Sequence, residues 1–373
     1  YEMKQAKHRS DIYDIASVTI ITATLPAVMR LYDQRHISLG APLSEYYPAL
    51  KGTNKKKMTV REVLCHNAGL KSYLPLFPNA IKQEALPGPL FSSYQTNAND
   101  TRLNERLYVN LNFNFKDKSI SRTPQEGYEY VSPGIYLYPD YRDTIWQTIL
   151  RSPLNAKKEY TYSDLGFILL KEAVEHVSGQ SIDEYCRENF YRRLGMNHTD
   201  FKGAERLNKR LLVPSNVDQI YRRTELCGYV HDPTAALLGG IAGHAGLFST
   251  AEDLAKMMQM YLNNGSYGGE NYFLPETVAL FTAKNNLFTL NRRGLGFDKP
   301  EPDITKPGPT CGQAPLCSYG HSGFTGIIAW CDPENKLIYI FMSNRTYPNE
   351  FNNKLSDENF RTKIQEAIYN AIQ

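Results

Sequence analysis

Apolar side chains recur at helical spacing over a long stretch near the start of the chain. The segment from Ser17 to about Gln34 has this pattern and predicts a helix that begins at Ser17. Pro26 lies inside the segment and should bend the helix or shorten its first part, because proline cannot donate a backbone hydrogen bond. Thr59 and Glu62 have the spacing of a capping box, so a short helix should start after Thr59.

The middle of the chain predicts further helices, with terminal signals such as Gly179 after one of them and Thr250 before another. They cover Tyr141–Leu150, Ser163–Val177, Ser181–Arg193, Ala251–Leu262 and Pro275–Phe281. By contrast, the residues from about 72 to 140 show no regular period. We interpret them as an irregular insertion over one edge of the functional site, within a single domain of residues 1–373.

The last third of the chain changes character. Residues 323–331 and 336–344 are rich in β-branched and aromatic side chains, and the turn residues between them predict a hairpin. His321 should stand at the start of its first strand. An amphipathic helix, Glu358–Ile372, follows. Together these patterns predict an α+β fold, in which an antiparallel sheet flanked by helices lies beside an all-helical region.

Composition excludes several classes of protein. The chain has 373 residues, 42% of them hydrophobic, which suits a globular domain with its own core. The formal net charge is +3 with acids and bases mixed, so we expect no nucleic-acid partner. The basic run Lys55–Lys57 is interpreted as a solvated turn. No apolar stretch reaches membrane-spanning length.

Cysteine and histidine spacing gives no support for a metal site. None of the six cysteines forms a CxxC pair, although Cys311 and Cys317 could close a local disulfide in an oxidising compartment. The histidines that invite a zinc hypothesis lack ligand spacing, and structural hydrogen bonding is preferred for His66, His231, His244 and His321. We therefore expect no metal and no cofactor. His231-Asp232 is interpreted as an ordered loop pair near the pocket.

Three short motifs carry the candidate chemistry. Ser17 stands at the first turn of a predicted helix, where a serine can either cap the helix or act as a nucleophile. Tyr162-Ser163-Asp164 begins a second helix, although Tyr162 could be a core aromatic and Asp164 a capping residue. His321-Ser322-Gly323 follows near the predicted hairpin. Each tripeptide is weak evidence alone, and their order is the stronger signal.

Ser-x-x, Tyr-x-Asp and His-x-Gly in this order resemble the serine β-lactamase and penicillin-binding-protein family. The tyrosine and histidine variants are closer to its class C β-lactamase and DD-peptidase branch. Residues 64–70 resemble a Leu-x-His-x-x-Gly-Leu turn of the family, and residues 230–233 and 240–249 resemble a subfamily near penicillin-binding protein 4B. They also resemble the β-lactamase-like half of proteins that carry this domain behind a family 3 glycoside hydrolase, so a fused or upstream glycosidase is a possible partner.

The resemblance implies a role for each motif residue. Ser17 would be the acylated nucleophile, Tyr162 would shuttle its proton, and His321 would take the place of a lysine close to the substrate carboxylate. Asp164 stands where asparagine is usual. The substrate would be a small molecule or a peptidoglycan-derived fragment, in the periplasm or another extracytoplasmic compartment.

The third motif completes the implied site. Ser322, Gly323 and Phe324 would line the substrate pocket together with Asp164. The backbone N–H groups of Ser17 and Phe324 match the oxyanion hole of the family, where such donors contribute about 3–4 kcal/mol to transition-state stabilisation.

Ile20 is the main departure from the family pattern. A lysine is expected one helical turn after Ser17, where it would share the face of the nucleophile and relay its proton. No lysine occurs between Lys7 and Lys51, so a shift of register does not supply one. Three alternatives therefore stand. The chain has lost catalysis and is an inactive binding domain that supports a glycosidase, or a lysine at this position was replaced by design or by accident, or the chain is a serine hydrolase impaired by Ile20 in which Tyr162 and His321 suffice for slow chemistry.

A second departure concerns the sheet. The family has a helix and two strands before the nucleophile helix, whereas about a dozen residues precede Ser17 here. We expect that these first strands either belong to a part of the chain outside this sequence or are missing from the sheet.

Overall fold

The computed structural model describes residues 8–285 and 291–372; the remainder of the predicted 1–373 domain lies outside these ranges. The α-helices, in chain order, are α1 (Leu25–Asp33), α2 (Val60–Leu64), α3 (Leu76–Ala80), α4 (Pro139–Arg151), α5 (Asp164–Ser178), α6 (Ile182–Cys186), α7 (Arg192–Leu194), α8 (Gly203–Arg206), α9 (Pro233–Leu237), α10 (Ala251–Leu262), α11 (Pro275–Thr282), α12 (Lys354–Asp357) and α13 (Phe360–Ile372).

The strands, numbered in the same way, are β1 (Tyr13–Asp14), β2 (Phe91–Ser92), β3 (Thr101–Asn104), β4 (Leu107–Val109), β5 (Ile120–Ser121), β6 (Glu129–Ser132), β7 (Ile135–Leu137), β8 (Asp200–Phe201), β9 (Pro214–Asp218), β10 (Thr224–Cys227), β11 (Leu247–Ser249), β12 (Ser266–Tyr267), β13 (Glu270–Asn271), β14 (Tyr319–Ser322), β15 (Ile328–Asp332) and β16 (Leu337–Phe341). Short 3₁₀ turns cover Ala16–Val18, Leu43–Glu45, Pro48–Leu50, Gln83–Ala85 and Lys209–Leu211, and π-helical turns cover Ile20–Thr24 and Arg187–Tyr191.

The predicted helix after Ser17 exists, but its winding changes along its length from 3₁₀ to π and then to α1. Pro26 explains the change. In a regular helix the Thr22 carbonyl would accept a hydrogen bond from residue 26, and proline has no N–H to give. The Tyr191 hydroxyl donates to the Thr22 carbonyl at 3.0 Å, and the Tyr261 hydroxyl donates to the Ile21 carbonyl at 2.8 Å. Two buried tyrosines thus satisfy the carbonyl groups that the π-turn leaves open.

The predicted helix terminators and caps are confirmed. Thr59 and Glu62 form a complete capping box at the start of α2. Gly179 ends α5 in the left-handed conformation with φ of 70°, and the Thr250 side chain caps α10 through Asp253 N–H. The helix predicted for Ser181–Arg193 is interrupted, because a π-turn separates α6 from α7.

Two predictions are corrected. Lys55 does not belong to a solvated turn: it is fully buried, and its ammonium donates to the carbonyls of Leu150 and Ser152 at 3.0 and 2.6 Å. Burial lowers the pKa of Lys55 to about 8. The predicted irregularity of residues 72–140 is corrected only in part: most of the segment is loop and turn, but it contains α3 and two small antiparallel sheets, ordered β2-β4-β3 and β5-β7-β6. Strands of two to four residues are too short to show an alternating pattern in the sequence.

The C-terminal third forms a three-stranded antiparallel sheet in the order β14-β15-β16. Helix α10 packs against β15 and β16. Helix α13 also packs against the sheet, where the Tyr369 hydroxyl donates to Asp332 Oδ2 at 2.7 Å and Ile368 packs in a cluster that includes Trp330. The α+β prediction is confirmed. His321, however, lies near the end of β14 and not at the start of a strand, because residues 323–327 make the turn into β15.

Two further observations concern the cysteines and the helices. Cys311 and Cys317 are free thiols, so the disulfide that their spacing allowed is not formed in this structure. Within the described ranges, every helix is too short or too polar to cross a bilayer.

We expect Tyr261→Phe to destabilise the protein by about 1–3 kcal/mol, because the buried Ile21 carbonyl would lose its donor while the apolar packing of the ring is kept. Urea denaturation followed by circular dichroism measures the change. Tyr94→Phe is the matched control, since the Tyr94 side chain is exposed. Equal stability of the two variants would show that the π-turn does not depend on this hydrogen bond.

Candidate active site

One cavity of about 490 Å³ brings the three sequence motifs together. Its wall includes the predicted residues Ser17, Tyr162, Asp164, His321, Ser322 and Phe324. It also includes His231 and Asp232, which the sequence analysis placed near the pocket, and residues that no sequence signal indicated, namely Ala16, Tyr160, Pro233, Ala245, Arg293 and Glu350. Ile20 and Gly323 do not line it. The cavity lies where the Ser17 turn, the start of α5 and the end of β14 meet.

Asp14 holds the turn that presents Ser17. Ala16 has a φ of 45°, an uncommon left-handed conformation for a residue with a side chain. Asp14 Oδ1 accepts a hydrogen bond from the Ala16 amide at 2.8 Å, and Oδ2 accepts one from the His231 amide at 2.6 Å. The Thr325 hydroxyl donates to the Asp14 carbonyl at 2.7 Å. These bonds tie the Ser17 turn to two other walls of the cavity.

Gly323 shows why the third motif requires glycine. A Cβ added at this position would lie 2.5 Å from the Ile15 carbonyl oxygen, a distance that side chains do not tolerate. The close approach brings the chain from Gly323 to Phe324 against the Ser17 turn. The backbone amides of Ser17 and Phe324 have no hydrogen-bond acceptor among the residues that the structure describes.

Tyr162 is partly buried between a cation and an imidazole. Its ring stacks on His66 with centroids 4.5 Å apart, and the Arg293 guanidinium lies 5.1 Å from the ring centroid. Burial raises the pKa of Tyr162 well above its usual value and Asp164 adds to the rise, whereas Arg293 and the neighbouring Ser17 hydroxyl oppose it. In the described part of the chain, the Tyr162 hydroxyl has no partner with regular hydrogen-bond geometry. Tyr162 is therefore a neutral phenol.

Arg293 fixes the protonation state of His321. The His321 Nδ1 lies 2.8 Å from the Ser322 carbonyl, which can only accept, so Nδ1 carries the proton. The Arg293 Nη1 lies 3.2 Å from Nε2, which therefore accepts. Burial and the Arg293 charge lower the pKa of His321 to about 4. His321 is consequently neutral, and the cation on this side of the cavity is Arg293.

Arg293 is held in turn by Tyr160 in the cavity wall and by Asp298, which does not line the cavity. It is buried, its Nε donates to the Tyr160 hydroxyl at 3.3 Å, and its Nη2 lies 3.5 Å from Asp298 Oδ2. In the sequence, Arg293 belongs to the stretch Arg-Arg-Gly-Leu-Gly, which lies outside the three motifs. Its placement depends on a bridge between Asp298 and Gly320 that pairs its segment with β14, a long-range contact that sequence patterns do not show.

Asp164 is a carboxyl group without a partner on one oxygen. Its Oδ1 is buried and has no hydrogen bond within the described residues. Burial raises the pKa of Asp164 to about 6, with His244 opposing the shift and Asp232 adding to it. Asp232 is paired with His244, whose Nε2 lies 2.9 Å from Oδ1. Asp232 and His231 are therefore not paired with each other, and His231 Nε2 lies 3.1 Å from Glu350 Oε2.

Ile20 belongs to the main hydrophobic core and is fully buried. Among residues 8–285 and 291–372, no lysine lines the cavity. The helix that presents Ser17 thus offers no amine to the cavity, and the cavity groups with a buried polar atom that makes no hydrogen bond within the described residues include the phenol of Tyr162 and the carboxyl of Asp164. This arrangement can bind a carbonyl compound beside Ser17, but it provides no ammonium group to relay the serine proton.

Comparison with known proteins gives a family match over nearly the whole chain. A family model described as Beta-lactamase matches residues 4–362. The putative D-alanyl-D-alanine carboxypeptidase of Escherichia coli (strain K12) is 30% identical over 355 residues, which are 90% of this chain and 69% of that protein.

Solved structures agree on the fold. The structure described as "EstCE1, a hydrolase with promiscuous acyltransferase activity" superposes with a TM-score of 0.62 and 18% identity, covering 99% of this chain and 87% of that one. A class C beta lactamase from Rhodobacter sphaeroides has a TM-score of 0.56 and 17% identity, covering 99% and 88% of the two chains. At these identities the likeness concerns the fold alone.

We expect Asp164→Asn to stabilise the protein above about pH 6 and to leave it unchanged near pH 4. Because burial raises the pKa of Asp164 to about 6, the folded protein disfavours the ionised form. The penalty is absent while the carboxyl is protonated and grows as the pH rises through the raised pKa. A shift of this size corresponds to roughly 1–3 kcal/mol. Urea denaturation near pH 4 and near pH 7.5 measures it.

Asp218→Asn is the control with the opposite sign. Burial alone would raise the pKa of Asp218, but Arg222, whose Nε lies 2.7 Å from Oδ2, lowers it below the ordinary value. The Asp218 variant should therefore lose stability near pH 7.5. Loss of stability in the Asp164 variant at that pH would show that the Asp164 carboxylate has a partner after all.

Proposed function

This chain belongs to the Beta-lactamase family, and we propose that it is a serine hydrolase of that family which acts through an acyl-enzyme on Ser17. The observation that carries the proposal is the shared cavity: the Ser17 hydroxyl, the Tyr162 phenol, the Arg293–His321 pair and two unpartnered backbone amides meet in one space. That combination supplies a nucleophile, a proton donor, a cation and an oxyanion hole.

The proposed chemistry follows from these positions. Ser17 Oγ attacks the substrate carbonyl carbon, and the amides of Ser17 and Phe324 donate to the oxygen that becomes negative. The proton leaves Ser17 and the leaving group is protonated as its bond to the carbonyl carbon breaks. In this scheme Tyr162 gives its hydroxyl proton to the leaving group and takes up the Ser17 proton, so the phenol is neutral again when the acyl-enzyme has formed. Water then releases the acyl group and regenerates Ser17.

The weak step is deprotonation of Ser17. Tyr162 is neutral because burial raises its pKa, and the Nε2 of His321 already accepts from Arg293. Ile20 supplies no amine. Asp164 remains as a carboxyl with one open oxygen. We therefore infer slow acylation at neutral pH, since removal of a base from a catalytic unit costs several orders of magnitude in rate.

The proposed substrate is a D-amino-acid amide or peptidoglycan-derived peptide that ends in a carboxylate. The Arg293 guanidinium would bind the substrate carboxylate at its end of the cavity, because guanidinium groups bind carboxylates strongly. The Escherichia coli relative bears the name of a D-alanyl-D-alanine carboxypeptidase, which supports the same class of substrate. The name of this relative also supports the proposal of an extracytoplasmic location. Lactams and esters are alternative substrates for the same acyl-enzyme chemistry.

A second candidate function is binding without turnover. Ile20 favours it, because this buried residue stands where the family uses its base. In that case the cavity would hold the same carboxylate-bearing ligands for another activity, such as that of a fused glycosidase.

We expect Ile20→Lys to restore acylation of Ser17. The lysine would share the helix face of Ser17 and meet the open Oδ1 of Asp164, and the two charges would offset part of their burial cost. Intact-mass measurement after incubation with benzylpenicillin, and hydrolysis of a chromogenic ester, report acylation and turnover. The rate should rise by about two orders of magnitude or more over the unchanged chain.

Ile20→Leu, which keeps the apolar volume, is the matched control and should stay at background. Ile20→Lys combined with Ser17→Ala should lose the gained mass shift. A folded Ile20→Lys variant that remains at background would contradict the hydrolase proposal and leave the binding function.

A further inference from the structure

Hydrolysis of an acyl-enzyme needs a group that takes a proton from water. Tyr162 is a poor candidate, because burial raises the pKa of its phenol and the hydroxyl is protonated when the acyl-enzyme has formed. His321 is also a poor candidate, since its Nε2 already accepts from Arg293. Among the residues that the structure describes, the cavity wall holds one further imidazole, that of His231.

A carboxylate stands beside this imidazole. Glu350 Oε2 lies 3.1 Å from His231 Nε2, and both residues line the cavity. The imidazole is buried, and no described residue gives Nε2 a hydrogen bond of regular geometry. The Glu350 side chain is 28% exposed, so it has room to turn onto Nε2. A carboxylate at Nε2 stabilises the imidazolium form and leaves Nδ1 as the nitrogen that takes up a proton.

The backbone of His231 is fixed beside the Ser17 turn. Its amide donates to Asp14 Oδ2 at 2.6 Å, while Asp14 Oδ1 accepts the Ala16 amide. From the other side, Arg222 Nη2 donates to the His231 carbonyl at 2.6 Å. Because one carboxylate bonds to both segments, the backbone that carries the imidazole keeps a constant position relative to Ser17.

The His231 ring also lies beside the proposed oxyanion hole. It packs against the Phe324 ring with centroids 5.4 Å apart. Arg345 joins this wall to Glu350, since its Nε donates to the Phe324 carbonyl at 2.7 Å and its Nη1 donates to the Glu350 carbonyl at 3.3 Å. The pair is thus attached to the segment whose amide would hold the acyl oxygen, which favours a water between the imidazole and the acyl carbon.

We propose that His231 is the general base for hydrolysis of the acyl-enzyme and that Glu350 is its positioning residue. His231 Nδ1 takes a proton from water as the water oxygen bonds to the acyl carbon. The imidazolium then gives this proton to Ser17 Oγ as the bond between Oγ and the acyl carbon breaks. The products are the free acid and the Ser17 hydroxyl. The inference rests on the proposed function, because it needs an acyl group on Ser17.

The loss of an acetyl group from Ser17 measures this step separately from acylation. The full chain is incubated with p-nitrophenyl acetate, the reagent is removed, and intact mass is followed with time; Ser17→Ala shows any acetylation elsewhere. His231→Gln should leave the rate of acetylation within about twofold and slow the loss of the acetyl group about a hundredfold, since a general base contributes at least about that factor.

Further variants distinguish a base from a structural residue. Added imidazole should restore part of the rate in His231→Gly, because it supplies the missing base in the vacated space. Glu350→Gln should slow the release about tenfold, since glutamine removes the charge that stabilises the imidazolium. His176→Gln and Glu334→Gln, at exposed positions, are the matched controls and should release acetate at the unchanged rate.

The two proposals fail in different ways. If Ser17 is acetylated but His231→Gln or Glu350→Gln releases acetate at the unchanged rate, the base assignment is overturned and the hydrolase stands. Slower release that imidazole does not rescue in His231→Gly would give His231 a structural role only and also overturn the assignment. If the histidine variants do not fold, Glu350→Gln alone decides. Absence of acetyl on Ser17, in the unchanged chain and in Ile20→Lys, would contradict the proposed function and the base assignment together.

Discussion

The buried carboxylate of Asp14 is the interaction on which the site depends. It accepts the amides of Ala16 and His231, while its own carbonyl accepts the Thr325 hydroxyl. Three chain segments that are far apart in sequence are joined at one residue. Burying an acid without such donors would cost much free energy. Each amide therefore joins two segments and also stabilises the carboxylate. The left-handed turn at Ala16, and with it the direction of Ser17, follows from this tie.

The second constraint is the arrangement of charge around the cavity. Arg293 is buried against Asp298, and its positive charge keeps His321 neutral and lies over the Tyr162 ring. Asp232 and His244 neutralise each other. Burial alone would disfavour both charges, but their attraction outweighs this effect, so the pKa of His244 is raised and that of Asp232 is lowered to about 2. Asp164 keeps one oxygen without a donor among the described residues. Under the proposed function, a lysine at position 20 would add a positive charge to this arrangement.

Local signals predicted the parts of this fold that depend on local physics. The capping box at Thr59, the glycine after α5 and the order of the three motifs were all visible in the sequence, and the motifs do line one cavity. What could not be predicted depends on contacts between distant segments. Lys55 looks like a surface lysine until Leu150 and Ser152 present their carbonyls to it. Arg293 gains its importance only when the Asp298–Gly320 bridge brings it to His321.

The open carboxyl of Asp164 supports a ligand-binding role for the cavity. A buried carboxyl with a raised pKa and an open oxygen lowers the stability of the folded chain at neutral pH, and asparagine would fill the same space without that penalty. The neighbouring acid Asp232 is already paired with His244, so it does not depend on Asp164 for a hydrogen bond. Local rules of stability are broken most often where a site needs a group for recognition or chemistry. Asp164 in the cavity wall is such a group, because a donor on a bound ligand would complete the hydrogen bonding of its open oxygen.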